Sequence, residues 1–281
     1  VLTHSADAIA ERTGLGRVFV GSLLLAGATS LPELSTDISA VMLGEPDLAV
    51  GDLLGSSVAN MALLVFLTLL SGGRLLKGAS ASHLYTGLLA IGLTLAASAL
   101  VLAGPTTTML GVSPGSLLLA VCFLAGTRAA FRHGATRPSG TASAPLEASA
   151  ESIGDRSSLG LAVTLFIAAA AVVLLAAPAL ASAAVRLADL SGLGTTFVGT
   201  WLLGATTSAP ELVSGIVAVR MRAHDLALAN LFGSNALNMV VFLPLDLVHS
   251  NGSIFTALSS AHAVTGLGAV VLMSFALFAM Y

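Results

Sequence analysis

Two copies of the pentapeptide Thr-Ser-x-Pro-Glu are the residues of this chain with the clearest chemistry. The first spans 29–33 and ends at Glu33, and the second spans 207–211 and ends at Glu211. Each lies within an apolar stretch, where an unpartnered carboxylate costs about 2.5–3.5 kcal/mol or more at the centre of a bilayer. The proline before each glutamate cannot donate a helical hydrogen bond. It therefore predicts a broken helix whose freed carbonyls face a cavity.

The apolar stretch after each pentapeptide carries polar residues at a spacing of four, which places them on one helix face. They are Asp52, Ser56 and Asn60 in the first, and Asn230, Ser234 and Asn238 in the second. Carboxylates among hydroxyl, amide and carbonyl oxygens suit a hard cation. Calcium takes about 6–8 oxygen ligands, and two glutamates would neutralise it. These segments contain no His or Cys, which argues against zinc or copper.

Structural roles are the alternative interpretation of these polar residues. Either glutamate could form a hydrogen bond between helices. The serines could serve packing alone, because Gly55-Ser56 and Gly233-Ser234 permit close helix approach. The asparagines could bond across helices.

The motifs belong to an internal repeat. Residues 14–64 align with 192–242 without a gap at an offset of 178, and 24 of 51 positions are identical. The matches include Thr, Ser, Pro, Glu and Asn, which an apolar composition alone does not produce. The second copy begins five predicted spans after the first, so the copies enter the membrane from opposite sides. This arrangement is typical of secondary transporters, whose sites lie between the repeats.

A weaker match places His83 opposite His262, near the start of a later span in each copy. Pairing at a helix interface or placement at a helix end explains these two residues better than a role as ligands.

The composition predicts an all-α integral membrane protein. Charged residues make up 9% of the 281 residues, against roughly 25% in soluble domains. A partial helix is expected at 1–12. Membrane spans are expected near 15–43, 47–71, 80–103, 114–131, 159–188, 193–219, 225–248 and 254–281.

This pattern gives two inverted five-helix repeats at 1–131 and 159–281, joined by a flexible loop. The loop, 132–158, is rich in Ala, Ser, Gly and Pro. Ten of the eleven Lys and Arg residues fall on the side of this loop, and only Arg186 falls on the other. The positive-inside rule therefore places the loop in the cytoplasm. We expect the plasma membrane of a prokaryote as the location.

Other partners are not indicated. The net charge of −3 suggests no nucleic-acid partner, and no GxxxxGK[ST] loop is present for nucleotide hydrolysis. The lone Cys122 provides no disulfide framework. We expect no cofactor, and the lipid bilayer and inorganic cations as partners. The oligomeric state stays open.

The motifs GATSLPEL with GSSVAN, and ATTSAPEL with GSNALN, resemble the calcium/cation antiporter superfamily and its sodium/calcium exchanger branch. The resemblance implies ten helices and alternating access, with about nine helices wholly or partly present here. We expect the first helix to be partial and the tenth to be absent. It implies that Glu33 and Glu211 ligate calcium and that Thr29 and Thr207 contribute backbone carbonyls. Sodium or proton sites would be lined by Ser30, Ser208, Ser56, Ser234, Asn60 and Asn238.

Asp52 and Asp37 depart from the family's pattern. Asp52 replaces a commonly uncharged residue and is included among the candidate metal ligands, and Asp37 lies one turn beyond Glu33. Either could be a proton carrier or a solvated charge at the site entrance. Some relatives carry one Asp where this chain has Asn60 and Asn238, so two certain carboxylates remain in the core.

These observations lead to a sodium-driven calcium antiporter as the predicted function. The proton/calcium branch typically carries Asn at the positions of Ser30 and Ser208, which favours sodium. Proton-coupled exchange of calcium or another divalent cation such as manganese stays open. A passive channel, an organic-solute transporter and an enzyme fit the paired broken helices less well.

Overall fold

The computed structural model describes residues 3, 5–7, 20–77, 79, 82–109, 111–135 and 159–280. In these ranges the chain is helical apart from turns, short connections and an isolated bridge between Met109 and Val112. Five helical stretches of the described residues are long and apolar enough to cross a membrane. They are Pro46–Leu70, Ser82–Ala103, Thr195–Arg220, His224–Val248 and Ala261–Phe278. The predicted all-α integral membrane fold is confirmed.

The first copy begins with a π-helical turn, Val20–Leu25. It continues as α1 (Ala26–Thr29), α2 (Leu31–Met42), α3 (Pro46–Leu70), α4 (Arg74–Lys77), α5 (Ser82–Ala103) and α6 (Pro114–Ala135). Ser30 separates α1 from α2, with φ −87° and ψ 5°. Pro32 lies in the first turn of α2, where a missing N–H costs least. The predicted break therefore occurs just before the proline.

The second copy begins with a long helix and then repeats this order. It consists of α7 (Leu159–Ser191), α8 (Thr195–Phe197), a π-helical turn (Val198–Leu203), α9 (Gly204–Thr207), α10 (Ala209–Arg220), α11 (His224–Val248), a 3-10 turn (Ile254–Ala257) and α12 (Ala261–Phe278). The π-helical turn, α9, α10 and α11 each start and end 178 residues after their first-copy equivalents. The sequence repeat is therefore also a structural repeat. The opposite membrane orientation of the copies stays a prediction.

The long helices α3 and α11 form the centre of the molecule, and most of their residues are buried. Each packs against the π-helical turn of the other copy through a glycine. A Cβ at Gly55 would collide with the backbone of Thr200, and one at Gly233 would collide with the backbone of Ser22. Only glycine permits this approach without displacing the backbone, because it has no side chain.

The ends of several predicted elements differ from the structure. The last described helix begins at Ala261 rather than 254, because Ile254–Ala257 forms a 3-10 turn. Helix α6 continues to Ala135 and so enters the segment predicted as a loop. The rest of that segment, 136–158, lies outside the described residues, as does most of the predicted partial helix at 1–12. Thr3 and Ser5–Asp7 of that helix are helical.

Candidate functional site

Glu33 and Glu211 occupy matched positions in the first turns of α2 and α10, and both are 0% exposed. N–H groups in the first turn of a helix have no intrahelical partner, and the helix dipole there favours a negative charge. Glu33 interacts electrostatically with Glu211 and with Asp52. One acidic group from each copy therefore contributes to a shared buried site.

Most carboxylate oxygens of this pair have no hydrogen-bond donor. Oε1 and Oε2 of Glu33 and Oε2 of Glu211 are buried, and no described residue donates to them. Ser234 Oγ donates to Glu211 Oε1 at 3.2 Å. Burying a charge without compensation costs several kcal/mol or more. A cation bound between the two carboxylates would supply this compensation.

Two threonines connect the broken helices to the central helices of the opposite copy. Thr207 Oγ1 donates to Asp52 Oδ1 at 2.7 Å, and Thr29 Oγ1 donates to Asn230 Oδ1 at 3.3 Å. The Thr29 hydroxyl also lies beside the Glu211 carboxyl group. The two contacts are equivalent under the 178-residue offset. The site is therefore assembled from both copies.

The predicted serines are buried but make unequal contacts. Ser56 Oγ lies 3.2 Å from Thr207 Oγ1 and donates to the Gly204 carbonyl at 3.2 Å, so it faces the second copy. Ser208 Oγ donates to the same carbonyl at 2.8 Å. The hydroxyl of Ser30 is buried without a partner among the described residues. This hydroxyl is thus available to a ligand.

The predicted asparagines connect α3 with α11. Asn60 Nδ2 donates to Asn235 Oδ1 at 2.8 Å, and Asn238 Nδ2 donates to the Leu53 carbonyl at 3.4 Å. Their Oδ1 atoms are buried and accept no hydrogen bond from the part of the chain that the structure describes. Each amide is thus oriented by its nitrogen and leaves an oxygen unpaired. Asn60 and Asn238 thus form the expected hydrogen bonds between helices, and each keeps an Oδ1 atom that could bind a cation.

Asp37 and Asp52 form a second acidic pair. Both are 0% exposed, and their carboxyl groups lie side by side. No described residue donates to either oxygen of Asp37 or to Oδ2 of Asp52. A solvated charge at the site entrance is therefore the wrong interpretation for both residues in this conformation. The second copy carries Gly215 and Asn230 at the matched positions, so the pair belongs to the first copy alone.

The candidate site therefore contains four buried carboxyl groups. Within the described ranges, no three or more His, Cys, Asp or Glu side chains form a group that could hold a metal ion. The candidate ligands are accordingly of mixed type, with carboxylates beside hydroxyl, amide and carbonyl oxygens.

Asn235 and Ser214 were not among the residues predicted for the site. Asn235 is the partner of Asn60, and its Nδ2 is buried without an acceptor among the described residues. Ser214 accepts a hydrogen bond from Asn230 Nδ2 at 3.1 Å. The available signal for Asn235 was an amide in an apolar span next to Ser234. It was missed because it falls outside the spacing of four.

Repeated broken helices around a buried acidic site, in an all-helical membrane fold, define a secondary ion transporter. The chain belongs to the sodium/calcium exchanger protein family, whose family model matches residues 1–128 and 161–281. This family consists of membrane transporters and not of enzymes.

Two curated relatives align with most of the chain, and a third aligns with a short part of it. The putative antiporter CaxA of Alkalimonas amylolytica is 26% identical over 258 residues, covering 90% of this chain and 77% of that protein. The inner membrane protein YrbG of Escherichia coli (strain K12) is 28% identical over 260 residues, covering 90% and 76%. The sodium/calcium exchanger MaX1 of Methanosarcina acetivorans is 36% identical over 61 residues, covering 22% and 17%. Together with the family, these relatives support cation antiport.

Solved structures of the sodium-calcium exchanger NCX_Mj have the same fold. One of that exchanger soaked with Na⁺ and Sr²⁺ matches with a TM-score of 0.63 at 19% identity, covering 100% of this chain and 85% of that chain. Another, soaked with zero Na⁺ and Ca²⁺, matches with a TM-score of 0.63 at 18% identity, covering 99% and 84%.

Proposed function

We propose that this protein moves calcium across the membrane in exchange for sodium by alternating access. The observation that carries the proposal is the pair of buried carboxylates, Glu33 and Glu211, with three of their four oxygens unpaired among the described residues. Two carboxylates balance the charge of one divalent cation, and the surrounding oxygens are of the kind calcium prefers.

The other predicted residues have distinct roles in this proposal. Backbone carbonyls at the helix breaks of Thr29 and Thr207 contribute to the calcium site. The breaks at Ser30 and Ser208 follow these threonines directly, and Pro32 and Pro210 cannot continue the helical hydrogen bonding to the residues four positions before them. Sodium occupies positions lined by the remaining oxygens, namely Ser30, Ser208, Ser56, Ser234, Asn60 and Asn238.

Antiport follows if the two cations compete for the same oxygens. The acidic core is fully buried in this conformation, so a cation can leave only after a conformational change. A site that opens to one side at a time, and that carries either calcium or sodium, couples the movement of one ion to that of the other.

Proton-coupled exchange is the second candidate, and the Asp37–Asp52 pair favours it. Two adjacent buried carboxylates repel each other unless a cation or a proton lies between them. The exchanger-like motifs do not account for this pair, so protons are an alternative counter-ion to sodium.

Transport in proteoliposomes tests the proposal. The full-length protein is reconstituted, and uptake of radiolabelled calcium is measured against an outward sodium gradient at fixed pH. Glu33→Gln and Glu211→Gln each remove one charge with little change of volume. We expect both variants to lose sodium-dependent uptake. Glu45→Gln, at a half-exposed position in the turn before α3, is the matched control and should retain it.

The driving gradient distinguishes the two candidates. Uptake that requires sodium and is lost in both glutamate variants supports sodium/calcium exchange. Uptake that ignores sodium but follows a pH gradient favours proton coupling. If calcium moves under neither gradient while the protein is folded, the calcium assignment is wrong.

A further inference from the structure

A cavity separate from the carboxylate site lies between the end of α3 and the turn that joins α10 to α11. Its volume is about 540 Å³, and its lining includes Leu70, Arg74, Val219, Arg220, Arg222 and His224. Residues of both copies therefore form its walls.

The cavity carries an excess of positive charge. No carboxylate pairs with Arg74, Arg220 or Arg222 within the described residues. The nearby Asp225 carboxylate pairs with His83 instead. Arg74 lies close enough to the His224 imidazole to interact with it electrostatically. Three unpaired guanidinium groups around one cavity suit an anion, because guanidinium groups bind phosphate through paired N–H donors.

The backbone conformation of Arg222 indicates that its positive charge has a function. Arg222 has φ +57° and is the one non-glycine residue with positive φ in the described ranges. The matched residue of the first copy is Gly44, with φ +86°. Glycine adopts this conformation freely, whereas other residues are disfavoured there. The second copy therefore keeps an arginine at a position where glycine fits the backbone better.

Arg220, two residues earlier, also differs in charge from its first-copy equivalent. Arg220 corresponds to Met42 of the first copy, which is 73% exposed. The α10–α11 turn thus presents two arginines where the equivalent turn presents an apolar residue and a glycine. The turn conformation itself does not require these charges, since the first copy forms the same turn without them.

The apolar part of the lining indicates what kind of anion fits. Leu70 is 50% exposed at the end of α3, and Val219 is half-buried. A lipid offers a phosphate to the arginines and a hydrocarbon chain to these side chains, whereas free phosphate matches the arginines alone. We propose that this cavity binds the phosphate of an anionic phospholipid headgroup, as basic pockets between membrane helices do.

Native mass spectrometry of the full-length protein in detergent tests this site. Phosphatidylglycerol is titrated, and its dissociation constant is compared with that of zwitterionic phosphatidylcholine. Arg74→Gln, Arg220→Gln and Arg222→Gly are each expected to weaken phosphatidylglycerol binding about fivefold, the effect of roughly one basic contact. Lys77→Gln is the matched control. Lys77 is exposed on α4 beside Arg74 but outside the cavity lining, so this variant should bind as the unmodified protein does.

Arg222→Gly separates binding from folding. It relieves the left-handed backbone, so its thermal unfolding temperature should stay equal or rise while lipid binding falls. The proposal would be overturned if all three arginine variants bound phosphatidylglycerol with unchanged affinity. An equal loss of affinity in Lys77→Gln would also overturn it. A parallel titration with inorganic phosphate tests whether the cavity binds free phosphate rather than a lipid headgroup. Phosphate that binds as tightly as the lipid and displaces it would assign the cavity to a free anion instead.

Discussion

His83 of α5 forms a hydrogen bond with Asp225 of α11, with 2.8 Å between Nε2 and Oδ1. His262 of α12 makes the equivalent contact with Asp47 of α3, also at 2.8 Å. Asp47 and Asp225 occupy matched positions in the repeat. Each pair joins one copy to the other, so the two copies exchange roles, as a two-fold relationship requires. Interface pairing, rather than ligand binding, is what these histidines do in the structure.

Replacing His83 with Ala should lower the free energy of unfolding by about 0.5–1.5 kcal/mol, because it removes the buried partner of a hydrogen bond whose other partner, Asp225, reaches solvent. The coupling between His83→Ala and Asp225→Ala should be about 0.5–3 kcal/mol in a double-mutant cycle. Denaturant unfolding in detergent measures both. His249→Ala, a half-exposed histidine, is the control and should change little. Additive effects of the two substitutions would show that the contact contributes no stability.

Alanine at Gly55 or Gly233 should destabilise the protein, because the added Cβ meets the backbone of the opposite copy. Overpacking of this kind costs about 1–3 kcal/mol or more, and it should also slow transport by separating α3 and α11 from the broken helices. Gly92→Ala is the matched control, since no atom lies within 4 Å of its added Cβ. That variant should be neutral or gain about 0.5–1 kcal/mol. Thermal unfolding that ranks the three variants otherwise would contradict this packing.

Asp246 should be far less tolerant of substitution than its position in an apolar helix suggests. Its carboxylate is fully buried and accepts hydrogen bonds from the N–H of Ser113, from Ser116 Oγ and from the N–H of Ile254. Asn has one acceptor oxygen in place of two. Asp246→Asn should therefore cost about 1.5–3 kcal/mol for each charged hydrogen bond that is lost.

Thermal unfolding and expression level check the prediction for Asp246. Ser116→Ala, which removes a single one of these donors, should cost less. If Asp246→Asn is as stable as the unmodified protein, the carboxylate does not hold the connection before α6 in place.

Exchanging the unequal residues of the central helices tests whether Asp52 takes part in cation binding. Asn at position 52 can still accept the hydrogen bond of Thr207, as Asn230 accepts that of Thr29. Asp52→Asn should therefore preserve the fold but raise the half-saturating calcium concentration roughly tenfold, equivalent to about 1.4 kcal/mol. Adding Asn230→Asp returns the charge on the matched side and should restore part of the affinity. An unchanged calcium dependence of uptake in Asp52→Asn would exclude a role for this carboxylate.

Much of the fold could be predicted because the sequence repeats it. The polar residues of the two pentapeptides, together with the gap-free offset, located both helix breaks and both central helices. The ends of elements were harder to predict. The segment from 254 is apolar enough for a span, but the N–H of Ile254 donates to Asp246, and the helix starts only at Ala261. A tertiary hydrogen bond of this kind leaves no trace in local hydrophobicity.

In the candidate site, too, local relationships could be predicted from the sequence and tertiary contacts could not. Spacing along one helix grouped Asp52 with Ser56, because that relationship is local. The contact between Asn60 and Asn235, and the burial of Asp37, depend on how helices of different copies approach each other. Such contacts are set by packing across the repeat, which helix periodicity does not encode.

The uneven distribution of acidic groups between the copies has a consequence for direction. Within the candidate site, Glu33, Asp37 and Asp52 come from the first copy, whereas Glu211 alone comes from the second. If the two copies were chemically identical, exchanging their conformations would give two symmetry-related states of equal free energy. Here the free energies of the two states should differ, because three of the four acidic groups of the site belong to one copy. An exchanger built this way should rest predominantly open to one side and show different calcium affinities on the two faces of the membrane.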